Sequence, residues 1–271
     1  MQKLVGIRGH RGAGKDSVAF LLASTLEFID YTERFEVSHW EAENKQFNIM
    51  YNDAVKKLVD NKDEAFSNAN FKYVYLDAFG DAPKAMVQQL LGCDHKYLWE
   101  EYWKDHAVID LNTFNIEEVD ELPTEGLLTP DDLKLYIPSC FKEWDKPIKM
   151  SLRDFILYFG QTMMQKYFGQ DVWVKSVAQN DKRNEEYFEG GIRIYTDIKA
   201  PTELSYLIDR HAVIINVERR GYKKKGGLDL LKDDDRWDYS VQIKGNDLMS
   251  IKDDILKIAE NIYWDNGKQN N

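Results

Sequence analysis

Only two of the 271 residues are cysteines, Cys93 and Cys140, and they lie far apart in the sequence. That rules against a disulfide scaffold and fits a reducing compartment, so the expected location is the cytoplasm. Long apolar runs are missing as well. None approaches the roughly 20 residues needed to span a bilayer, and the first residues enter a strand instead of a charged-then-apolar leader, so an unprocessed soluble chain with no membrane partner is expected. Positive charge is in deficit: 36 Lys and Arg against 47 Asp and Glu leave a formal charge of -11. This opposes binding of polymeric nucleic acid or anionic lipid through counterion release, although it permits a local basic pocket. Cys93 and His95 have no second pair at zinc-site spacing. DAFG at 77–80 fits the D-x-x-G of GTPases, yet no guanine signature accompanies it, because NKDE at 61–64 lacks the final Asp of N-K-x-D. No internal repeat is present.

What remains is an alternation of strand and helix. KLVGIR at 3–8 is a short apolar run bounded by Gly9, and Val18, Leu21, Leu22 and Leu26 then recur at helical spacing. YVYLDAF at 73–79, GIRIYTD at 191–197 and AVIINV at 212–217 have the character of buried strands. Helices are expected at 42–60, from Pro83 to Leu91 with a stop at Gly92, from Ser151, at 171–179 and at 201–209. A last helix carries Ile251, Ile255, Ile258 and Ile262. The expected fold is α/β, a three-layer arrangement with a mostly parallel sheet flanked by helices. One domain over 1–271 is expected, with the polar stretch 28–72 and the segment 105–150 as insertions or an acceptor-binding or lid subdomain. The second of these holds four of the six prolines and no sustained period. The polar tail DNGKQNN is expected to fray.

GHRGAGKDS at 9–17 lies between the first strand and the first helix. Gly9, Gly14 and Lys15 have the spacing of the phosphate-binding loop G-x-x-x-x-G-K-[ST], in which glycines turn backbone N–H groups inward at a helix N-terminus. Arg11, Gly12, Ala13, Gly14, Lys15, Asp16 and Ser17 are therefore candidate ATP-binding residues, with Lys15 reaching the β and γ phosphates. Asp16 occupies the position where a hydroxyl normally holds Mg2+. Either its carboxylate binds the ion, directly or through water, or it caps the helix while Ser17 donates to an α phosphate.

Asp197 ends the strand IRIYT, and ligands gather at the carboxyl ends of open parallel sheets. It is a candidate metal ligand or general base, and a helix cap is the plain alternative. Lys84, Arg153 and Lys199 are candidate cations for an acceptor phosphate, each with a solvated surface charge as its bland counterpart. ERRGYKKKGG at 218–227 fits a lid over phosphates, with Arg219 or Arg220 stacking on adenine, and fits a basic hairpin tip equally well. Trp99, Trp103 and Trp144 are expected in core and rim packing.

Taken in order, these segments resemble the bacteriophage-type deoxynucleoside monophosphate kinases of the P-loop kinase superfamily. GKDS at 14–17 resembles their G-K-D-[ST], and FGDAPK at 79–84 their F-A-D-P-L-K. RDFILYFGQT at 153–162 resembles R-x-x-L-Q-x-x-G-T-E, and DVWV at 171–174 their D-x-W-V. DIKAPTE at 197–203 is similar to D-x-R-x-x-x-E, VERR at 217–220 to V-x-R-P, and VQIKGNDLMSIKDDI to the closing strand and helix. Most of 1–26, 73–104 and 151–264 is covered.

The resemblance implies ATP and Mg2+ as cofactors, dNMP as acceptor, and sites built from Lys15, Lys84, Arg153, Asp197 and Lys199. Lys15, Asp197 and Arg153 would be catalytic, and Asp16 and Asp197 metal-binding. The partners implied are small-molecule nucleotides, a homodimer is compatible with the pattern, and a phage-encoded chain would act in the host cytoplasm. Departures are Lys199 in place of the family's Arg, GQT in place of GTE, and Gln165 beside Lys166 where an Arg belongs. The alternatives are a P-loop kinase for another small acceptor, such as a modified pyrimidine nucleotide, and a catalytically degenerate nucleotide-binding interaction protein.

Overall fold

A computed structural model of the protein describes residues 3–34, 40–111, 113–129, 149–183, 190–221, 231 and 234–264. Cys140, Trp144, the tail and residues 222–227 of the basic stretch lie outside them. The chain divides into two compact units, residues 1–79 with 180–271, and residues 80–179.

The first unit is an α/β layer structure. Its strands are β1 (Lys3–Gly9), β2 (Val74–Asp77), β3 (Ile192–Ile198), β4 (Val213–Arg220) and β5 (Tyr239–Lys244). They form one sheet in the order β2-β3-β1-β4-β5, and every pairing is parallel. Parallel neighbours need long crossovers, and helices supply most of them. These are α1 (Lys15–Arg34), α2 (Trp40–Asp60), α3 (Lys62–Ser67), α4 (Pro201–Ile208) and, after β5, α5 (Lys252–Trp264).

Alternation along β1 divides the two faces. Val5 and Ile7 join Leu22, Leu26, Ile255 and Ile258 in one core with α1, α2 and α5. Gly6 points the other way, where an added Cβ would lie 2.8 Å from Leu207 of α4. Helices thus flank the sheet on both faces, as a three-layer fold requires. The edge strand β2 is tied to α1 by Glu27, whose Oε1 accepts hydrogen bonds from the Tyr73 and Val74 N–H groups, the latter at 2.8 Å.

The stretch 28–72 differs from an insertion lying over the core. It completes α1 and forms α2 and α3, and Ile29, Phe47, Tyr51, Ala54, Leu58 and Ala65 are part of the main core. Phe47, Tyr51, Ala54 and Leu58 of α2, spaced four, three and four apart, make one buried stripe on a helix with many charged residues.

In the second unit, the segment 105–150 is not wholly irregular. Ala107–Asp110 pairs antiparallel with Asn115–Glu118 and with Lys149–Ser151, and Lys149–Ser151 pairs parallel with Leu127–Leu128. Strands this short show no period in a sequence. They cover helices Asp81–Leu91 and Leu152–Leu157, with Val87, Ile109, Met150, Leu152 and Phe155 in a separate core. Gly92 ends the first of these helices in the left-handed region at φ 58°. Beyond Leu157 the chain continues as a π-helix, Tyr158–Met164, and the Gly160 carbonyl accepts the Trp173 indole N–H at 2.8 Å.

No described helix is long and apolar enough to cross a membrane. Leu22 on α1 is fully buried, so Leu22→Ala is expected to lower unfolding free energy by about 2–5 kcal/mol through lost burial and a cavity. Denaturant unfolding followed by far-UV circular dichroism measures this.

Candidate functional site

The loop after β1 is shaped by three glycines. Gly9, Gly12 and Gly14 have φ of 149°, 81° and 94°, conformations that side-chain-bearing residues avoid. Gly9 is constrained twice, because an added Cβ would lie 2.4 Å from the Val217 carbonyl oxygen on β4. The Gly14 carbonyl accepts the Val18 N–H at 2.9 Å, making Gly14 the cap position and Lys15, Asp16 and Ser17 the first turn of α1. The N–H groups of that turn have no partner within the helix and sit at its positive end. Asp16 is therefore not the helix cap, one of its two expected roles.

Lys15 is nearly buried, at 8% exposure. Its Nζ donates to the carbonyls of Gly9 at 3.0 Å and His10 at 3.1 Å, and lies 3.3 Å from Asp197 Oδ1. Asp197 is near the end of β3, the direct neighbour of β1. Its other oxygen pairs with Lys199. Burial resists ionisation of Asp197, but the Lys199 and Lys15 ammoniums outweigh it and hold the carboxyl below the usual carboxylate range.

Lys199 is opposed by desolvation and nonetheless raised, because the carboxylates of Asp197, Glu203 and Asp16 all favour its charge. Glu203 secures the start of α4: its Oε2 accepts the backbone N–H groups of Lys199 at 2.8 Å and Ala200 at 3.0 Å. The capping role expected as the alternative for Asp197 is thus performed by Glu203. Burial pushes the Glu203 carboxyl up.

Two further contacts complete the cluster. Asp16 accepts a hydrogen bond from Lys62 of α3, a contact without any local sequence signal because the two residues are 46 apart. Arg219 donates to the Gly245 carbonyl at 2.6 Å and the Gly12 carbonyl at 3.3 Å, so its guanidinium braces the loop. One strand position before the loop, buried Arg8 donates to the carbonyls of Asp234 at 2.8 Å and Leu231 at 2.6 Å.

Lys15, Asp16, Asp197, Lys199 and Arg219 thus gather around the loop in the first unit. Lys84 and Arg153 belong to the second, where Lys84 pairs with Asp81 at 3.0 Å and Arg153 makes a two-pronged contact with Asp105. Sequence reasoning passed over a buried network on the face of β3 opposite the main core. Asp181 there pairs with Arg193 and accepts the hydroxyls of Tyr195 at 2.7 Å and Tyr206 at 2.9 Å.

Among the described residues, no group of three or more His, Cys, Asp or Glu side chains is placed to hold a metal ion. Mg2+ needs only one or two carboxylates when phosphate and water complete its shell. Asp16 and Asp197 are the carboxylates beside the loop with that chemistry, and the buried Asp197 Oδ1 accepts no hydrogen bond. No protein-family model matches the chain, and a search of curated proteins finds no match.

Asp197 is held ionised by the fold, so its contribution is full above the ordinary Asp pKa and disappears as pH falls through the lower folded value. Wild-type stability is therefore expected to drop below about pH 4. Asp197→Asn should cost about 1–3 kcal/mol at pH 7 and flatten the acid limb, as measured by urea unfolding from pH 2 to 7.

Proposed function

We propose that the protein is an ATP-dependent, Mg2+-requiring phosphotransferase of the P-loop kinase type, acting on a deoxynucleoside monophosphate to give dNDP and ADP. The observation that carries this reading is the joint placement of Lys15 and Asp197. A glycine loop delivers a nearly buried lysine to the head of a 20-residue helix, and the neighbouring parallel strand brings a carboxylate to within 3.3 Å of it. A helix N-terminus with inward N–H groups suits an anion, and Lys15 adds a positive charge where phosphate would sit.

Phosphoryl transfer between oxygens needs positioning and charge stabilisation and no covalent intermediate. The loop residues Arg11 to Ser17 would hold the triphosphate, and Lys15 would exchange its carbonyl partners for phosphate oxygens. Asp197 would keep Lys15 and Lys199 in place and orient or deprotonate the acceptor. Bound Mg2+ would neutralise charge on the phosphates, held by Asp16 and Asp197. Arg219 is assigned to bracing the loop through the Gly12 carbonyl instead of to adenine stacking.

For the acceptor phosphate, Lys199 is proposed on its position beside Asp197. Lys84 and Arg153 are proposed on the sequence resemblance, and each would have to leave a carboxylate, Asp81 or Asp105, to bind it. The free Cys93 suits a reducing compartment, and the cytoplasm, a host's if the chain is phage-encoded, is proposed as its location.

ADP release measured across a panel of dNMPs and NMPs tests the reading. Turnover is expected with at least one dNMP, and Lys15→Ala should lower kcat about 100-fold or more by removing charge stabilisation. Turnover confined to a modified pyrimidine nucleotide would shift the acceptor class. Tight ATP binding with no acceptor-dependent ADP would make the protein a nucleotide-binding interaction module.

A further inference from the structure

The cluster around the loop contains more lysine than a phosphate loop requires. Lys15 and Lys199 both face Asp197, and Lys62 faces Asp16 from a different helix. In the third pair both partners are exposed: the side chains of Lys62 and Asp16 are 46% and 45% accessible, whereas Lys15 at 9% and Lys199 at 66% share an Asp197 that is only 23% accessible. Pairs this exposed contribute little to stability, so Lys62 is cheap to detach.

Its placement is nonetheless fixed. Asn61 caps α3 by accepting the Glu64 N–H at 3.2 Å, and Lys62 lies over the Phe66 ring at 6.0 Å, so the ammonium is delivered beside the first turn of α1 by structure built on both sides of it. In the first turn of α1 the only acidic side chain is Asp16, and Lys62 holds the carboxylate that the proposed reading assigns to Mg2+.

We infer that Lys62 is a third phosphate-directed lysine of the nucleotide site, parked on Asp16 until a metal ion takes that carboxylate and then passed to the nucleotide phosphates. This rests on the proposed reading of the loop as an ATP site. Two cations cannot share one exposed carboxylate without mutual repulsion, so the arrival of Mg2+ at Asp16 weakens the Lys62 contact. A phosphate oxygen beside the first turn of α1 is the nearest alternative partner. The exchange conserves charge pairing: Asp16 trades an ammonium for a metal ion, and Lys62 trades a carboxylate for phosphate. Lys62 also weakens Mg2+ binding at Asp16 when nucleotide is absent, because the two compete for one carboxylate.

Calorimetric titration of ATP, once in EDTA and once in excess Mg2+, separates the possibilities for wild type, Lys62→Met and Lys62→Arg. With Mg2+, Lys62→Met is expected to bind ATP roughly tenfold more weakly, the net worth of one charge-assisted hydrogen bond, and Lys62→Arg should recover most of the loss. In EDTA the loss should be smaller, because Asp16 then retains Lys62. In an Asp16→Asn background Lys62 is free of its carboxylate, so the Met substitution should cost as much in EDTA as in Mg2+. Equal affinities for wild type and Lys62→Met in both media would overturn the inference while leaving the ATP site intact. An identical loss in both media with Asp16 present would also overturn it, since Lys62 would then contact phosphate without any exchange. Failure of wild type to bind ATP in either medium would remove the reading beneath it.

Discussion

The contact between Lys15 and Asp197 exists because β1 and β3 are parallel neighbours although almost 200 residues separate them in sequence. The pairing of loop lysine and strand-end carboxylate depends on that adjacency. It places the end of β3 next to the loop leaving β1, and it requires the sheet order in which β3 enters between β1 and β2. Loop geometry follows from the opposite neighbour. Gly9 meets the Val217 carbonyl of β4 so closely that no side chain fits, and this sends the chain into its turn and on to α1. Between them the two neighbours of β1 fix the lysine and the carboxylate at one point on the carboxyl edge of the sheet.

Electrostatics at that point run against the character of the whole chain. The protein carries a net charge of -11, yet the loop is surrounded by Lys15, Lys62, Lys199 and Arg219. Each lysine is engaged by a carboxylate, and Arg219 by backbone carbonyls. Lys15 and Lys199 share Asp197, and these Arg219 contacts are to carbonyls, so cations outnumber carboxylates among the contacts around the loop and the site suits an anion. Asp197 remains ionised despite its burial because two ammoniums face it, whereas burial pushes the Glu203 carboxyl up against the two backbone N–H groups that favour its charge.

The loop, its flanking strand and helix, and the strand bearing Asp197 were legible in the sequence because each has a strong local cause. Glycines at three loop positions, apolar residues at a helical spacing, and β-branched runs bounded by turns all act over a few residues. Position in the fold was harder to read. The buried stripe Phe47, Tyr51, Ala54 and Leu58 is diluted by charged residues, so α2 looked peripheral although it packs into the main core. The strands at 107–110, 115–118, 127–128 and 149–151 are two to four residues long, too short to show alternation. Long-range pairs left no trace at all: neither Lys62 with Asp16 nor Arg193 with Asp181 follows from spacing, since each is made by elements that meet only when the sheet and its helices assemble. The roles proposed for Lys84 and Arg153 rest on resemblance, and what the structure adds is the carboxylate that holds each one.

On the proposed reading, the loop 9–17 and Lys15 form a triphosphate cradle. Amide hydrogen exchange with and without MgATP tests it most directly, because it reports on those backbone N–H groups whether or not an acceptor is known. Slowed exchange concentrated at Gly12 to Ser17 is expected on adding MgATP, absent with adenosine and lost in Lys15→Ala. Unchanged exchange across this loop, with protection appearing elsewhere in the chain, would contradict it.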